Sequence, residues 1–494
     1  ERTRIIERQK ALGIVPETTE LAPRNPDVRA WNSLSPAAHR LLTRMQEVYA
    51  GFTEHTDAQI GRLVAFLEQY GQLDNTLLIV MSDNGASGEG GAYGTINEYR
   101  YFLGLADSLE DGLAQIDDIG GPLAHNHYPS GWAQAGNTPL KFYKKYTLGG
   151  GVRAPLIVHW PAGIGEAGVI RGPFHHAIDI APTILDVCRV TPLKQRNGLA
   201  QMPLHGQSMA YSFASDSRAR QRTTQYFEMG GQRGIYDQGW KAVTYHQSGE
   251  AFADDVWQLY HLSVDFNEMN DLAESQPDKL NEMVELWWKE AEANCVLTLD
   301  DRAQGRALAI DTEAQERDRF RVLPGSRLMS IVTGPAFAMR SFKITADVRA
   351  RAEGDNGVLF AYGHKAAGFV LFLHEDRLVF DYNIAGRHAI HTTSALAPTG
   401  ASILAAKVNV EGDGARLQLL FNDQVMLDEP LPQQFPAGFT AFSVQCGYNS
   451  PSPVSRLYAA PNRFAGVLHC VDIELGPSDP QARGATWDAA IRSQ

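Results

Sequence analysis

Hydrophobic positions in the first 190 residues alternate between helical spacing and short continuous runs. Between residues 35 and 70 apolar side chains recur every three or four positions, which predicts an amphipathic helix, and Gly71 stands where a C-cap belongs. The apolar runs TLLIV (76–80) and APLIVHW (154–160) predict strands buried on both faces. A further helix is predicted at 180–188. Helices that alternate with apolar strands favour an α/β domain with a mostly parallel sheet.

The pattern changes in the second half of the chain. Short strands separated by turn residues predict a small antiparallel subdomain at 223–300, covered by a helix at 277–295. Residues 301–336 read as a linker. Across 337–476 apolar and polar residues alternate with period two, and turn residues recur between the runs, which predicts an all-β sandwich. Residues 477–494 are expected to form a tail.

Composition and charge narrow the classes of function. The chain has 494 residues and a formal net charge of −13, so it lacks the excess of basic residues that a general nucleic-acid binder needs. It contains no apolar run long enough for a membrane span. Its four cysteines are too few for a disulfide framework, and none forms a CxxC pair. A Cys446–Cys470 bridge and a pair of buried thiols both remain open.

The strand TLLIV is followed by Asp83, Asn84 and Gly85. Asn-Gly alone is a strong hairpin signal. The glycine-rich sequence that follows is not an alternating partner strand, however, and ligands of open α/β sheets bind at the carboxyl ends of strands. A carboxylate beside an amide carbonyl offers two hard oxygen ligands, which suit Ca²⁺ or Mg²⁺. The alternatives at this point are a turn and part of a metal site.

A cluster of lysines precedes a triple glycine and the second apolar strand. Lys141, Lys144 and Lys145 lie within the segment 136–161. Such a cluster can simply be a solvated basic face. A lysine held next to a glycine loop can also contact a bound oxyanion, where exclusion of water strengthens its charge.

Histidines mark two further segments. His175 and His176 precede Asp179 at the start of the predicted helix 180–188, and a role in starting that helix is favoured over chemistry. His127 and Trp132 precede the lysine segment and could line a substrate pocket, although aromatic packing is the competing interpretation.

Five motifs taken together resemble the sulfatases, specifically bacterial arylsulfatases, over roughly residues 1–300. The family fold is an α/β sandwich of the alkaline-phosphatase type with a small antiparallel C-terminal subdomain. The resemblance therefore implies that residues 1–222 are the C-terminal part of the α/β domain and 223–300 the subdomain. The motifs are SDNGAS, NTPLKFYKKYTLGGGVRAPLIVHWP, HHAIDIAPTIL, GWKAV and LYHLSVDFNEMNDLA.

The resemblance implies roles for three residues. Asp83 and Asn84 match two of the family's Ca²⁺ ligands, with Mg²⁺ as the other possible ion, and Lys144 matches a lysine that contacts the sulfate oxygens. The chain departs from the family at Gly149, where many members carry an acid before the two glycines.

The family's nucleophile is missing. Sulfatases use a formylglycine made from a Cys or Ser in a C-x-P-S-R type motif, and no such motif occurs here. We therefore expect this chain to be the C-terminal part of a longer enzyme, inactive alone, whose partner is the N-terminal part of the same enzyme. That part would supply the formylglycine and the remaining Ca²⁺ ligands. The implied reaction is hydrolysis of a small sulfate ester to an alcohol or phenol plus sulfate.

Two other functions remain open from the sequence. A related metal-dependent phosphoryl or phosphonate ester hydrolase would use the same Asp-Asn metal pair. Alternatively, the chain is a binding or assembly module without a nucleophile. In that case the C-terminal sandwich, which resembles the concanavalin-like sandwiches that follow some bacterial sulfatases, would hold carbohydrate or cover a subunit edge.

Overall fold

The computed structural model divides the chain into two compact units. The first comprises residues 1–35, 46–88 and 128–303, and the second comprises 36–45, 89–127 and 304–494. Each unit is described separately. The residues described are 1–102, 107–122, 124–214, 222–301, 317–326, 334–411, 414–432 and 443–477.

Eight α-helices and twenty-one strands occur in the described ranges. The helices are α1 Arg2–Ala11, α2 Pro36–Gln69, α3 Tyr99–Phe102, α4 Leu109–Ala114, α5 Ser130–Gly136, α6 Gly149–Val152, α7 Ile180–Val187 and α8 Pro277–Ala293. The strands of the first unit are β1 Leu78–Met81, β2 Leu156–His159, β3 Gln195–Arg196, β4 Leu199–Ala200, β5 Thr224–Met229, β6 Gln232–Asp237, β7 Trp240–Thr244 and β8 Trp257–His261. Those of the second are β9 Arg319–Val322, β10 Phe342–Ala350, β11 Gly357–His364, β12 Ala367–His374, β13 Arg377–Ile384, β14 Arg387–Thr392, β15 Ser402–Glu411, β16 Gly414–Phe421, β17 Gln424–Leu431, β18 Val444–Cys446, β19 Tyr448–Asn449, β20 Asn462–Arg463 and β21 Val467–Leu475.

The first unit has its best-covered core between an antiparallel sheet and one helix. The sheet has the order β5-β6-β7-β8, and α8 packs against it through Met283, Trp287 and Ala291. These residues are four apart along α8, so they lie on one side of the helix. Ile235 and Leu259 meet them from the sheet. The antiparallel sheet and its covering helix predicted from the sequence are both confirmed.

The two apolar runs expected to form a buried parallel sheet instead form an exposed antiparallel pair. β1 pairs with β2 from Leu78↔His159 to Met81↔Leu156, in a sheet of two strands. Val80 is 39% exposed and Ile157 is 62% exposed. The prediction of a mostly parallel sheet is wrong for the described strands, whose pairings are all antiparallel. An apolar run shows that side chains need cover, whereas the connection determines strand direction, so the run could not reveal the pairing.

Helix α2 confirms the prediction from spacing, since it spans Pro36–Gln69 and Gly71 follows with φ +63°. Its predicted apolar stripe is nevertheless largely exposed after residue 46. Phe52 is 67% exposed, and Leu63 and Phe66 are also exposed. The helix therefore exposes apolar side chains on its surface, as β1 and β2 do. No described helix combines the length and the apolar composition needed to cross a membrane.

The second unit contains two antiparallel sheets that share one apolar core. Their orders are β17-β16-β15-β10-β21-β9 and β14-β13-β12-β11-β18. Ile344 and Val471 of the first sheet and Phe369 and Phe380 of the second belong to this core. On the second sheet the opposite face is buried as well, around Val370. The all-β character of the region is as predicted, while the likeness to concanavalin stays a prediction.

Three sequence expectations have specific outcomes here. Cys446 and Cys470 are free thiols. Cys446 lies in the core between the sheets, whereas Cys470 pairs with Asp347 on the outer side of the six-stranded sheet, so the disulfide interpretation is wrong. Most of the predicted linker 301–336 and nearly all of the tail 477–494 fall outside the described residues.

Candidate functional site

The predicted metal pair lies in a loop that leaves β1 without forming a hairpin. The Ser82 hydroxyl donates to the Asn84 carbonyl over 2.7 Å, and the Asn84 side-chain nitrogen donates to the Gly85 carbonyl over 2.9 Å. The second bond holds the Asn84 amide through its nitrogen, so the side-chain oxygen points away from the Gly85 carbonyl. The next residue, Gly85, donates its backbone N–H to the Gly151 carbonyl over 2.9 Å. Because β1 pairs with β2 and not with the segment just after it, the hairpin interpretation is wrong.

Asn137 ties this loop to the lysine segment. Its side-chain oxygen accepts from the Ala86 N–H over 2.9 Å. Its side-chain nitrogen donates to the carbonyls of Gly150, over 2.8 Å, and Phe142, over 3.1 Å. One amide thus satisfies backbone groups from three loop positions that no ladder pairs. Asn137 precedes Thr-Pro in the motif NTPLKFYKKYTLGGGVRAPLIVHWP, but the sequence does not show which backbone groups its side chain contacts.

The two loops approach each other so closely that only glycine fits between them. A Cβ on Gly85 would lie 1.6 Å from the Gly150 carbonyl oxygen. A Cβ on Gly150 would lie 2.2 Å from the Phe142 carbonyl oxygen, and one on Gly151 would lie 1.9 Å from that of Tyr146. These glycines therefore allow the two backbones to approach closely. Close approach and positive φ are the two usual reasons for a glycine in a loop.

Lys144 lies on this junction. Its backbone N–H donates to the Ala86 carbonyl over 2.9 Å, two residues beyond Asn84. The backbone around it is strained, because Phe142 has φ 60° and Lys145 has φ 85°. Non-glycine residues at positive φ persist only where the surroundings hold them, and such strain concentrates at functional sites. The structure thus brings the segments of Lys144 and of the predicted metal pair together through backbone contacts.

A buried acid holds the other side of the glycine loop. Glu268 accepts from the Gly149 N–H over 2.7 Å and from the Lys241 ammonium over 2.5 Å, and both charged side chains are buried. Glu268 thus places a carboxylate against the backbone at Gly149. Sequence reasoning missed Glu268, although it lies inside the quoted motif LYHLSVDFNEMNDLA.

Charges around Glu268 act on a neighbouring lysine. Burial lowers the pKa of Lys141, while Glu268, Asp265 and Asp271 oppose that effect. The Lys141 ammonium lies 5.2 Å from the centre of the Tyr260 ring. Lys141 is therefore partly buried among these acids and the Tyr260 ring, a packing role that differs from the role predicted for Lys144.

The histidine segment has the structural role that the sequence favoured. The Asp179 carboxylate accepts from the His176 N–H over 2.9 Å and from the Gln207 N–H over 2.8 Å, and it pairs with Arg222. Burial disfavours the ionised form of Asp179, but the hydrogen bonds from Arg222 and the two amides outweigh it and lower the pKa. The Thr183 hydroxyl donates to the Asp179 carbonyl over 2.6 Å in the first turn of α7.

The two substrate-pocket candidates lie in different units. In the second unit, the His127 backbone exchanges hydrogen bonds of 2.9 Å with Thr95. In the first, the half-buried Trp132 ring lies 5.5 Å from that of Trp31. The contact favours aromatic packing for Trp132. The role of either residue in substrate binding stays a prediction.

Asp83 and Asn84 fit part of a calcium site. Asp83 is exposed and Asn84 half-buried, and both present oxygen donors of the kind Ca²⁺ prefers. Ca²⁺ takes six to eight oxygens. Within the described ranges Asp83 does not belong to a cluster of three or more carboxylate, imidazole and thiol ligands. The pair could hold the ion only together with further ligands.

Comparison with known proteins bears directly on this part of the chain. The family model described as Sulfatase matches residues 13–190, and the model described as N-sulphoglucosamine sulphohydrolase, C-terminal, matches residues 140–292. An uncharacterised sulfatase of Schizosaccharomyces pombe is 32% identical over 300 residues, which cover 60% of this chain and 52% of the relative. An arylsulfatase of Klebsiella aerogenes is 30% identical over 216 residues, or 44% of each chain.

One solved structure can be set beside these relatives. Ps i-CgsB is 21% identical, with a TM-score of 0.35, and the match covers 61% of this chain and 55% of that one. The chain spans about half the length of the curated relatives it matches. Residues 13–292 are thus similar to two sulfatase family models, and the chain resembles proteins named as sulfatases in Schizosaccharomyces pombe and Klebsiella aerogenes.

Proposed function

We propose that this chain is the C-terminal part of an enzyme that hydrolyses sulfate esters to an alcohol or phenol plus sulfate. The observation that carries the proposal is the junction of the Asp83–Asn84 loop with the Lys144 segment, built from sequence that matches the sulfatase family. A formylglycine and Ca²⁺, both completed by residues N-terminal to this chain, would supply the nucleophile and the Lewis acid.

The residues of this chain have the following roles in the proposal. The oxygens of Asp83 and Asn84 are ligands of the cation. The Lys144 ammonium contacts the sulfate oxygens and stabilises negative charge on the transferred group. Asn137 and Glu268 are positioning residues, since they hold the loops and touch no reacting atom.

Exposed apolar side chains support the need for a further part of the enzyme. In β1, Met81 is 38% exposed, and Leu156 and Ile157 of β2 are also exposed. Phe52 and Leu63 of α2 are exposed as well. Apolar elements of this kind are normally covered. We propose that the N-terminal part of the same enzyme covers β1 and β2 and brings the nucleophile to the Asp83 loop.

The test joins this chain to its encoded upstream segment in a host that makes formylglycine. We expect 4-nitrophenyl sulfate to be hydrolysed well above the rate for 4-nitrophenyl phosphate, and this chain alone to release almost no nitrophenol. Chelation of Ca²⁺ should abolish turnover. Faster hydrolysis of the phosphate would favour the phosphoryl ester hydrolase instead.

The decisive variant is Lys144→Ala in the joined protein. Loss of a charge that stabilises the transition state should lower kcat by about 100-fold or more. Lys145→Ala is the matched control, because it removes the same charge from the adjacent, exposed position and should retain most of the activity. Near-normal turnover by Lys144→Ala would contradict the assignment.

A further inference from the structure

A β-bulge in the second unit brings three chemically different side chains together. β10 pairs with β21, and the register shifts so that Asp347 lies opposite Cys470 while Val348 lies opposite Leu468. His469 is the extra residue between them. A bulge leaves one residue unpaired and re-aims its side chain. This is how two consecutive residues, His469 and Cys470, can both reach the residue on the neighbouring strand.

The cluster lies on the outer side of the six-stranded sheet. Ala346 and Val348 point into the core, so Asp347 between them points outward. Cys470 is the direct partner of Asp347, and Val471 beside it belongs to the core. One carboxylate oxygen, one imidazole nitrogen and the Cys470 sulfur all lie within 4.8 Å of one another. Cys470 is buried and His469 is exposed, so the cluster opens to solvent on the histidine side.

We propose that Asp347, His469 and Cys470 form a binding site for a divalent transition metal, with Zn²⁺ as the best fit. Zinc binds thiolate, imidazole and carboxylate at about 2.0–2.3 Å in a tetrahedron, whose ligand atoms lie roughly 3.5 Å apart. The exposed His469 side chain can rotate to adjust its position toward such an ion. Metal binding releases the Cys470 thiol proton to solvent, and the resulting thiolate and the Asp347 carboxylate balance the two positive charges of the ion.

The donor set distinguishes this site from the proposed calcium site. Sulfur and nitrogen ligands select zinc and its neighbours, whereas Ca²⁺ and Mg²⁺ require oxygen. Three protein ligands leave the fourth position of a tetrahedral ion to water or to another small ligand. The inference is independent of the proposed sulfate ester hydrolysis, because none of its residues lies in the first unit.

Two arginines lie beside the cluster and must be compatible with a cation. Arg349 binds the Asp347 carboxylate over 2.9 Å, but its side chain is 59% exposed, so it can release the carboxylate and turn into solvent. Arg321 is held by a different acid, since it makes hydrogen bonds of 2.6 and 2.8 Å to Asp472. Metal binding therefore displaces one exposed ion pair, which is worth little.

The experiment is a Co²⁺ titration of the full chain in a Cys188→Ser, Cys295→Ser background, which removes the exposed thiols. Cobalt bound to a thiolate gives a near-ultraviolet charge-transfer band, and Zn²⁺ should abolish the band stoichiometrically. A metal ion held only by oxygen ligands, as at the proposed calcium site, gives no such band. The outcome therefore does not depend on the proposed function.

Substitutions identify the residues that bind the Co²⁺ responsible for the band. His469→Ala, at an exposed position, and Cys470→Ser should each weaken Co²⁺ binding by about 100-fold or more, since loss of even an outer-shell partner costs 10–100-fold. Cys446→Ser, which alters a buried thiol outside the cluster, should leave the titration unchanged. Absence of the band in the Cys188→Ser, Cys295→Ser protein, or its persistence in Cys470→Ser, would overturn the proposal.

Discussion

The strands β1 and β12 have similar apolar sequences and opposite surroundings. LIVM of β1 belongs to a two-stranded sheet in which Val80 is 39% exposed. FVLFL of β12 is buried on both faces, with Phe369 and Leu371 on one core and Val370 and Phe372 on another. A continuous apolar run therefore predicts that a strand requires cover. Whether the same stretch of chain provides that cover is a separate property of the fold.

The largest effect is expected in the covered sheet. Phe369 is buried and its ring lies 4.9 Å from Phe337 and 5.2 Å from Phe342. Phe369→Ala should destabilise the second unit by about 3–5 kcal/mol, because it removes apolar contacts and leaves a cavity. Chemical denaturation followed by far-ultraviolet circular dichroism measures the change. Phe369→Leu is the control and should lose much less; equal losses would show that the loss of the ring, and not the size of the cavity, determines the cost.

A smaller effect is expected at the loops beside the uncovered sheet. Asn137→Ala removes the partner of the Ala86 N–H and of two carbonyls, which should destabilise the first unit by about 1–3 kcal/mol. The amide of Ala86 should exchange its hydrogen faster, as measured by hydrogen–deuterium exchange. Asn32→Ala, at an exposed position, is the control. Unchanged protection of Ala86 would mean that the glycine contacts alone hold the loops.

Acid should lower the stability of the first unit through Asp179, which lies at the start of α7. Its folded pKa is lowered by Arg222 and backbone amides, despite burial. The resulting stabilisation is complete above the ordinary Asp pKa of about 3.9 and is lost as pH falls through the lower folded pKa. We expect tryptophan-monitored stability to decline over that acid range, and Asp179→Asn to flatten the decline. An unaltered slope in Asp179→Asn would refute this origin.

The smallest effect tests the comparison most directly. Ile157 is 62% exposed, so Ile157→Ala should change the stability of this chain by no more than about 0.5 kcal/mol. In the protein joined to its upstream segment, the same substitution should destabilise by about 1–3 kcal/mol if that segment covers β2. Val379→Ala, in the covered sheet, should be equally harmful in both proteins. An equally small change for Ile157→Ala in both would show that β2 stays exposed.

Local elements were predictable because their signals are local. The spacing of apolar residues located α2 and α8, and alternation located the strands of the two large antiparallel sheets. Asp83 and Asn84 could be proposed as ligands because they follow an apolar run at the point where a strand ends, and that role stays a prediction. Each of these inferences rests on residues that are close together in the sequence.

Long-range contacts were not predictable in the same way. The antiparallel pairing of β1 with β2 depends on the chain between them, which carries no periodic signal for direction. Asn137 and Glu268 act on backbone groups of other loops, and a polar side chain shows no sign in the sequence of which backbone it will meet. The bulge at His469 is a mismatch between two strands, so neither strand reveals it alone.

The crossing of Gly85 with Gly150 also determines how the site could be redesigned. Since even a methyl group at Gly85 would overlap the opposite carbonyl, the backbone spacing there cannot be tuned by side-chain choice. Variants that aim to change the surface of these loops should therefore keep Gly85, Gly150 and Gly151 constant.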